Sequence, residues 1–271
     1  KTGVQVVVVT HRRSGLRMCV KYAAMRDKPK HLMELRCLRV FAELVTNNVS
    51  PHIVLPVCFT VQPDRCILVA ECVDCSLFEF ISAKYSEDDI RGVLFQVLYT
   101  LKCIYRYFPS FKHNDLHAAN VLIETLKHPV TYEYHLGTRS YFVTSRHQVR
   151  LWDFYFATID HKDTRSMFRG THNHRRVTGY YDLHKLFDSI LLLPNLPPEL
   201  EALATWIVPE EYQIYRRNLD RKQLRMHTVA GVTVEQVLNH GYFEPLYTNS
   251  KEVNQVFSVR SGIYPKQIKK N

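Results

Sequence analysis

His113-Asn114-Asp115-Leu116-His117-Ala118-Ala119-Asn120-Val121-Leu122-Ile123-Glu124 sets a carboxylate and a side-chain amide five residues apart, directly ahead of an apolar run. The β-branched run predicts a strand, and the polar residues before it predict a loop that feeds the strand. Taken alone, Asp115 and Asn120 read as turn caps. Whether the pair carries chemistry depends on what the rest of the chain supplies.

Upstream, Ser86 and Asp89 form a capping box, followed by Ile90, Val93, Leu94, Val97, Leu98 and Leu101, one face of a buried helix running to about Tyr107. Downstream, short runs at Val121–Glu124, Thr131–Leu136, Ser140–Thr144 and Gln148–Trp152 read as strands, the last ending at a second carboxylate, Asp153. Leu183, Leu186, Phe187, Ile190 and Leu191 mark a further helix stopped by Pro194, and shorter helical segments fill 197 to 245. At the other end, the runs Val4–Thr10 and Leu16–Ala23, joined by Arg12-Arg13-Ser14-Gly15, predict a hairpin with Lys21 on its second strand. Leu32, Leu35, Leu38, Phe41 and Val45 recur at helical spacing and place Glu34 on the helix that follows, with Glu43 as the alternative acidic residue on that helix. Ile53–Val61 and Cys66–Cys72 are two more strand candidates. Strands with one helix therefore come first and mostly helices after, with the last twenty or so residues as a docked or loose tail.

At 271 residues the chain can bury a sizeable core, and its 46% hydrophobic and 12% aromatic content is that of a folded protein. No run approaches the ~20 apolar residues of a membrane span. The chain opens on Lys1 without the order of a secretion signal, which reads as a chain trimmed from a longer one. Seven cysteines, an odd number, all fall in the first 103 residues and point to reduced thiols in an intracellular compartment. Cys72-x-x-Cys75 has no second pair at metal-ligand spacing. A net charge of +10 fits an acidic partner, and ordinary solvated basic faces fit it equally.

Phosphoryl transfer from ATP asks for cations that bridge the phosphates, a positive clamp and a group that orients the acceptor hydroxyl. Asp115 suits the acceptor proton, Asn120 and Asp153 supply the hard oxygens that Mg²⁺ prefers, and Lys21 suits the α- and β-phosphates with Glu34 fixing its position. These motifs resemble those of the protein-kinase family. His113-Asn114-Asp115-Leu116 with Asn120 resembles the catalytic loop, Asp153-Phe154-Tyr155 the metal-binding Asp-Phe-Gly, and Met18-Cys19-Val20-Lys21 the Val-Ala-Ile-Lys strand. Ile67–Val73 resembles the strand entering the hinge, and Asp182 in Tyr-Asp-Leu-His resembles the helix aspartate that braces the catalytic loop. Thr233 to Phe243 resembles the segment that closes the large lobe. His117, the paired strands before Asp153 and the Tyr-Asp-Leu-His helix are similar to divergent kinases of large DNA viruses, and more distantly to haspin.

The resemblance implies an α+β, bilobal protein-kinase-like fold, with a strand-rich N-lobe over 1–73, a mainly helical C-lobe over 74–248 and a tail over 249–271. It implies ATP and Mg²⁺ as cofactors and serine/threonine hydroxyls of proteins as acceptors. Gly3 stands where the last glycine of the phosphate-covering loop would be, the earlier ones preceding Lys1. Ala70 is a small gatekeeper, the backbone of Glu71 and Val73 contacts adenine, and Cys19 and Leu122 complete the nucleotide set. The compartment implied is host cytoplasm, nucleus or virion.

Four departures modify the expectation. Asn114 stands where regulated kinases carry the arginine that receives an activation-loop phosphate, so no such switch is expected. Tyr155 replaces glycine and should stiffen its segment. No Ala-Pro-Glu lies between Asp153 and Asp182. His117 stands where serine/threonine kinases carry a lysine that touches the γ-phosphate, and histidine there also suits kinases of small hydroxyl compounds. That class of enzyme and a pseudokinase scaffold are the rival readings. Arg165, Arg169, Arg175 and Arg176 fit an acidic or phosphorylated protein substrate or a solvated loop; Arg216, Arg217, Arg221, Lys222 and Arg225 fit a solvated face, with nucleic-acid contact the minority reading. His161, His172, His174 and His184 read as solvated loop rather than as a zinc site.

Overall fold

The computed structural model describes residues 4–25, 28–83, 85–159, 180–213, 231–247 and 255–258. The valine-rich start pairs with the next strand as a hairpin: β1 (Val4–Thr10) lies antiparallel to β2 (Arg17–Ala24). Gly15 adopts φ +67 in the connecting turn, a conformation that costs a side-chain-bearing residue and glycine nothing. β3 (Pro56–Val61) and β4 (Arg65–Glu71) complete an antiparallel sheet of order β1-β2-β4-β3. On β4, Cys66, Leu68 and Ala70 turn inward in strict alternation. They meet α1 (Lys28–Thr46), which buries Met33, Cys37, Leu38, Phe41 and Leu44 along one face. Val6, Val8 and Val57 remain exposed.

β5 (Cys75–Ser76) leads into α2 (Leu77–Ser82), capped by a reciprocal box between Ser76 and Glu79. α3 (Glu87–Tyr107) begins at Ser86, whose hydroxyl accepts from the Asp89 amide at 3.1 Å. It is apolar round most of its circumference and runs through the middle of the second part of the chain. Its one glutamine among apolar neighbours, Gln96, is stitched to the next sheet: Nε2 donates to the His147 carbonyl and Oε1 accepts from the Val149 amide, both at 3.0 Å.

That sheet is a long hairpin, β6 (Val121–Leu136) and β7 (Arg139–Leu151), closed by a two-residue turn with Gly137 at φ +65. The four short runs expected from sequence are thus two strands. The breaks coincide with a register shift between Thr125 and Val130, where Lys127, His128 and Pro129 interrupt the apolar alternation. β5 pairs with one end of β6, and β8 (Gln255–Ser258) runs parallel to the other, so part of the expected tail is docked. α4 (Tyr180–Ile190), α5 (Pro198–Ile207) and α6 (Val234–Leu238) supply the remaining helices. The strand expected from Ile53 begins only at Pro56; Ile53 and Val54 instead join the end of β7 at Leu151. Among the described residues no helix is long and apolar enough to cross a membrane. The result is a strand-rich first part against a mainly helical second part, an α+β architecture.

Candidate active site

Lys21 lies on β2 opposite Leu68 of β4, on a sheet face covered by α1 and the segment after β7. Only 4% of its side chain is exposed, and its ammonium stands 2.8 Å from Glu34 Oε1 and 2.5 Å from Asp153 Oδ1. Burial pushes the Lys21 pKa down, and the two carboxylates outweigh it, so the group stays above its ordinary value and charged. Glu34, not Glu43, faces the lysine because it falls on the buried stripe of α1; it is fully buried and also meets His31 Nδ1 at 3.2 Å.

Asp153 takes a left-handed conformation, φ 60 and ψ 56, which a short polar side chain tolerates better than most. The turn swings the chain from β7 into the single helical turn Phe154–Phe156 and leaves the carboxylate 29% exposed beside Lys21. Phe154 is fully buried, with ring centroids 5.2 Å from Phe41 of α1, 6.3 Å from Phe111 and 5.1 Å from His113. Tyr155 stacks obliquely on His31 at 4.7 Å, and the ammonium groups of Lys21 and Lys30 stand 5.4 and 5.0 Å from its ring centre. Tyrosine in place of glycine thus latches this turn to α1.

The loop from Lys112 to Asn120 runs beside the same segment. Lys112 and Thr158 exchange backbone hydrogen bonds, His113 Nε2 meets the Trp152 carbonyl at 3.0 Å, and Asn114 Nδ2 donates to the Phe156 carbonyl at 2.9 Å. Trp152 N donates to the Asn120 carbonyl at 3.2 Å. These contacts bond the loop bearing Asp115 and Asn120 to the segment bearing Asp153, whose carboxylate meets Lys21. Asp182 on α4 braces the loop: its carboxylate accepts from the amides of His113 at 2.8 Å and Asn114 at 2.9 Å and from the Tyr105 hydroxyl at 3.0 Å. Asn114 sits at φ 64, strained for most residues and accessible to asparagine.

Asp115 is 28% exposed and receives the Lys185 ammonium at 2.6 Å, with His117 Nε2 at 3.7 Å. Burial pushes its carboxyl up, and His117 and Lys185 more than reverse this, holding it well below the usual carboxylate range. Asn120 Nδ2 donates to the Asp115 carbonyl at 2.9 Å, which fixes the amide plane and turns its oxygen the other way. A carboxylate paired with an amide oxygen is a donor set suited to Mg²⁺, so the residues present fit that ion.

Cys19 pairs with Ala70 across β2 and β4, and Leu122 on β6 lies opposite Ser76 and Arg150. The Glu71 side chain accepts from the Leu55 amide at 3.0 Å and meets Arg150 at 3.2 Å. Arg150 also reaches Glu124 at 2.7 Å and the Pro51 carbonyl at 2.8 Å, tying the end of β4 to the long hairpin. Val73 packs against the core between β4 and β5. Gly3, the arginines at 165, 169, 175 and 176, the basic cluster at 216–225 and His161, His172 and His174 lie outside the described residues. His184 is buried, its Nε2 meeting the Tyr212 carbonyl at 3.0 Å, rather than solvated as expected.

Sequence reasoning missed Lys185, Arg150 and the His31 contact to Tyr155. Lys185 was within reach, since it lies three residues after Asp182 and therefore on the helix face already assigned to the catalytic loop.

The family model for the protein kinase domain matches residues 2–177. The "Putative serine/threonine-protein kinase R400" of Acanthamoeba polyphaga mimivirus is 26% identical over 300 residues, an alignment covering 89% of this chain and 63% of that protein. The chain therefore spans somewhat under two thirds of that relative's length. Among solved structures, the PF14_0431 kinase domain aligns with a TM-score of 0.48 and 16% identity, covering 91% of this chain and 86% of its own. With a kinase-domain match that runs through the Lys21 strand, the Asp115 loop and the Asp153 turn, the chain belongs to the protein kinase family.

Proposed function

We propose that the chain is an active kinase that transfers the γ-phosphoryl group of ATP, with Mg²⁺, to serine or threonine hydroxyls of protein substrates. In this reading the N-lobe is 1–73, the C-lobe 74–248 and the tail follows from 249. One observation carries the proposal: Lys21 is clamped between Glu34 and Asp153 at hydrogen-bonding distance while the loop bearing Asp115 and Asn120 is bonded to the segment bearing Asp153. A scaffold without activity has no chemical need for all five side chains in working pairings.

Lys21 would hold the α- and β-phosphates, with Glu34 keeping its ammonium forward. Asp153 and Asn120 would hold the metal through oxygen, and Asp115 would orient the acceptor hydroxyl and accept its proton. Held by those residues, Mg²⁺ would supply charge that offsets that of the phosphates. The backbone of Glu71 and Val73 would meet adenine, with Cys19, Ala70 and Leu122 around it.

The test is transfer of label from [γ-³²P]ATP to a general protein substrate, with and without Mg²⁺, by the unsubstituted chain and by Asp115→Asn. The expected result is Mg²⁺-dependent labelling of serine and threonine that falls about 10²–10⁴-fold in the variant, with nucleotide affinity changed less than about threefold. Equal activity in the variant, or label confined to small hydroxyl compounds, would overturn it.

A further inference from the structure

Position 117 of the catalytic loop carries an imidazole, 3.7 Å from Asp115. A second basic group comes from elsewhere: the Lys185 ammonium, delivered by α4, lies 2.6 Å from Asp115 Oδ1 and 3.0 Å from the Asn114 carbonyl. Its side chain is 14% exposed, and the Tyr181 ring centre is 5.8 Å away.

A lysine in this place has two readings. As a brace it would hold the loop against α4. That task is already done on both sides of it, by Asp182, which takes the amides of His113 and Asn114, and by Ser189, whose hydroxyl accepts from the Ala118 amide at 2.8 Å. A third brace aimed at the carboxylate of the base would lower that group's basicity and add little anchorage. As a chemical group, the lysine makes sense. In phosphoryl transfer the charge lies on the equatorial oxygens of the moving group, and an ammonium fixed beside the acceptor-orienting carboxylate stabilises it without reorganisation. The helix is well suited to fix it, because Leu183, Leu186 and Phe187 on α4 are fully buried.

We infer that Lys185 is a catalytic residue, contacting the γ-phosphoryl group during transfer and supplying from α4 the ammonium that the catalytic loop lacks at position 117. The inference rests on the kinase reading above. In the step, the acceptor oxygen bonds to the γ-phosphorus and its proton passes to Asp115. The bond from that phosphorus to the bridging oxygen breaks, its electron pair leaving with ADP. Lys185 forms no covalent bond and stays protonated throughout.

The experiment compares the unsubstituted chain with Lys185→Ala, Lys185→Arg and the double variant Lys185→Ala/His117→Lys, measuring kcat, KM for ATP, Mg·ATP binding and melting temperature. Lys185→Ala is expected to lose about 10²–10³ in kcat, the loss seen when one preorganised donor is removed, with KM and nucleotide binding within about threefold. Lys185→Arg retains more than the alanine variant, and a lysine restored at position 117 recovers at least tenfold of the lost kcat. A kcat unchanged in Lys185→Ala would overturn the inference, as would a loss that tracks a lowered melting temperature and is not recovered by His117→Lys; either leaves the kinase reading standing. Absence of any protein labelling by the unsubstituted chain would overturn both.

Discussion

Replacing Lys21 by methionine keeps the length of the side chain and removes its charge, which strands a carboxylate in the interior. Glu34 is fully buried, and with Lys21 gone its remaining contact is His31 at 3.2 Å. Removing one partner of a buried ion pair costs about 3–5 kcal/mol, most of it the penalty for the charge left behind. At ~2–4 °C per kcal/mol for a domain of this size, Lys21→Met should melt roughly 6–20 °C below the parent. The double variant Lys21→Met/Glu34→Gln leaves an uncharged amide beside His31 and loses only the net value of a hydrogen bond, about 1–2 kcal/mol. A double-mutant cycle by urea unfolding at neutral pH should therefore give a coupling of at least about 2 kcal/mol, with the double variant more stable than Lys21→Met alone. If the two unfold at the same urea concentration, Glu34 is not an electrostatic burden in the absence of its lysine, and the account of this cluster fails. The sign with pH is also fixed. The Lys21 pKa is raised, so its contribution is complete below about pH 10.5 and is lost only as pH rises through the folded-state value.

Asp182→Asn retains one acceptor oxygen for two backbone amides and the Tyr105 hydroxyl, and should lower stability by about 1–3 kcal/mol in a urea titration; a change below about 0.5 kcal/mol would mean that the loop holds its shape unaided. Tyr155→Leu keeps apolar bulk while deleting the His31 and lysine contacts, and should cost about 1–2 kcal/mol, read as faster amide exchange in α1 and not in α3. Unaltered exchange in α1 would show that the latch does not hold. Asp115 is depressed below the ordinary carboxylate range, so its ionised form persists above about pH 4 and is lost only as pH falls through the lower folded value. A pH–rate profile should accordingly show no acid limb from Asp115 above about pH 4, and Lys185→Ala should move that limb upward; a limb unmoved by the substitution would refute the pairing.

Local pattern made much of the molecule readable. The hairpin around Gly15, the helix that carries Glu34 and the buried α3 all follow from periods of two or 3.6 with caps or turns at their ends. The candidate site was readable for a different reason, since its side chains cluster in short stretches whose chemistry restricts the residue types. What escaped depends on distance along the chain. Lys185 meets Asp115 across 70 residues and Arg150 meets Glu71 and Glu124 from another strand, and no local spacing reports such pairs. The long hairpin escaped for the opposite reason, because Lys127 to Pro129 break its alternation and made one strand look like two. Ile53 and Val54 carry strand-forming side chains, yet they are consumed in joining Leu151, an outcome set by burial between elements rather than by propensity.

The short parallel strand Gln255–Ser258 has a practical consequence for anyone cutting the protein down. It occupies the outer rim of β6 at Tyr132 to His135 and lays Phe257 over Tyr132 and Tyr134, with ring centroids 5.7 and 5.5 Å apart. A version ending at residue 247 would uncover a row of unsatisfied peptide groups flanked by two tyrosines, the kind of rim along which molecules zip together. Such a version should self-associate more than the longer chain in light scattering at equal concentration, so the position of the cut would act on solubility before it touches activity.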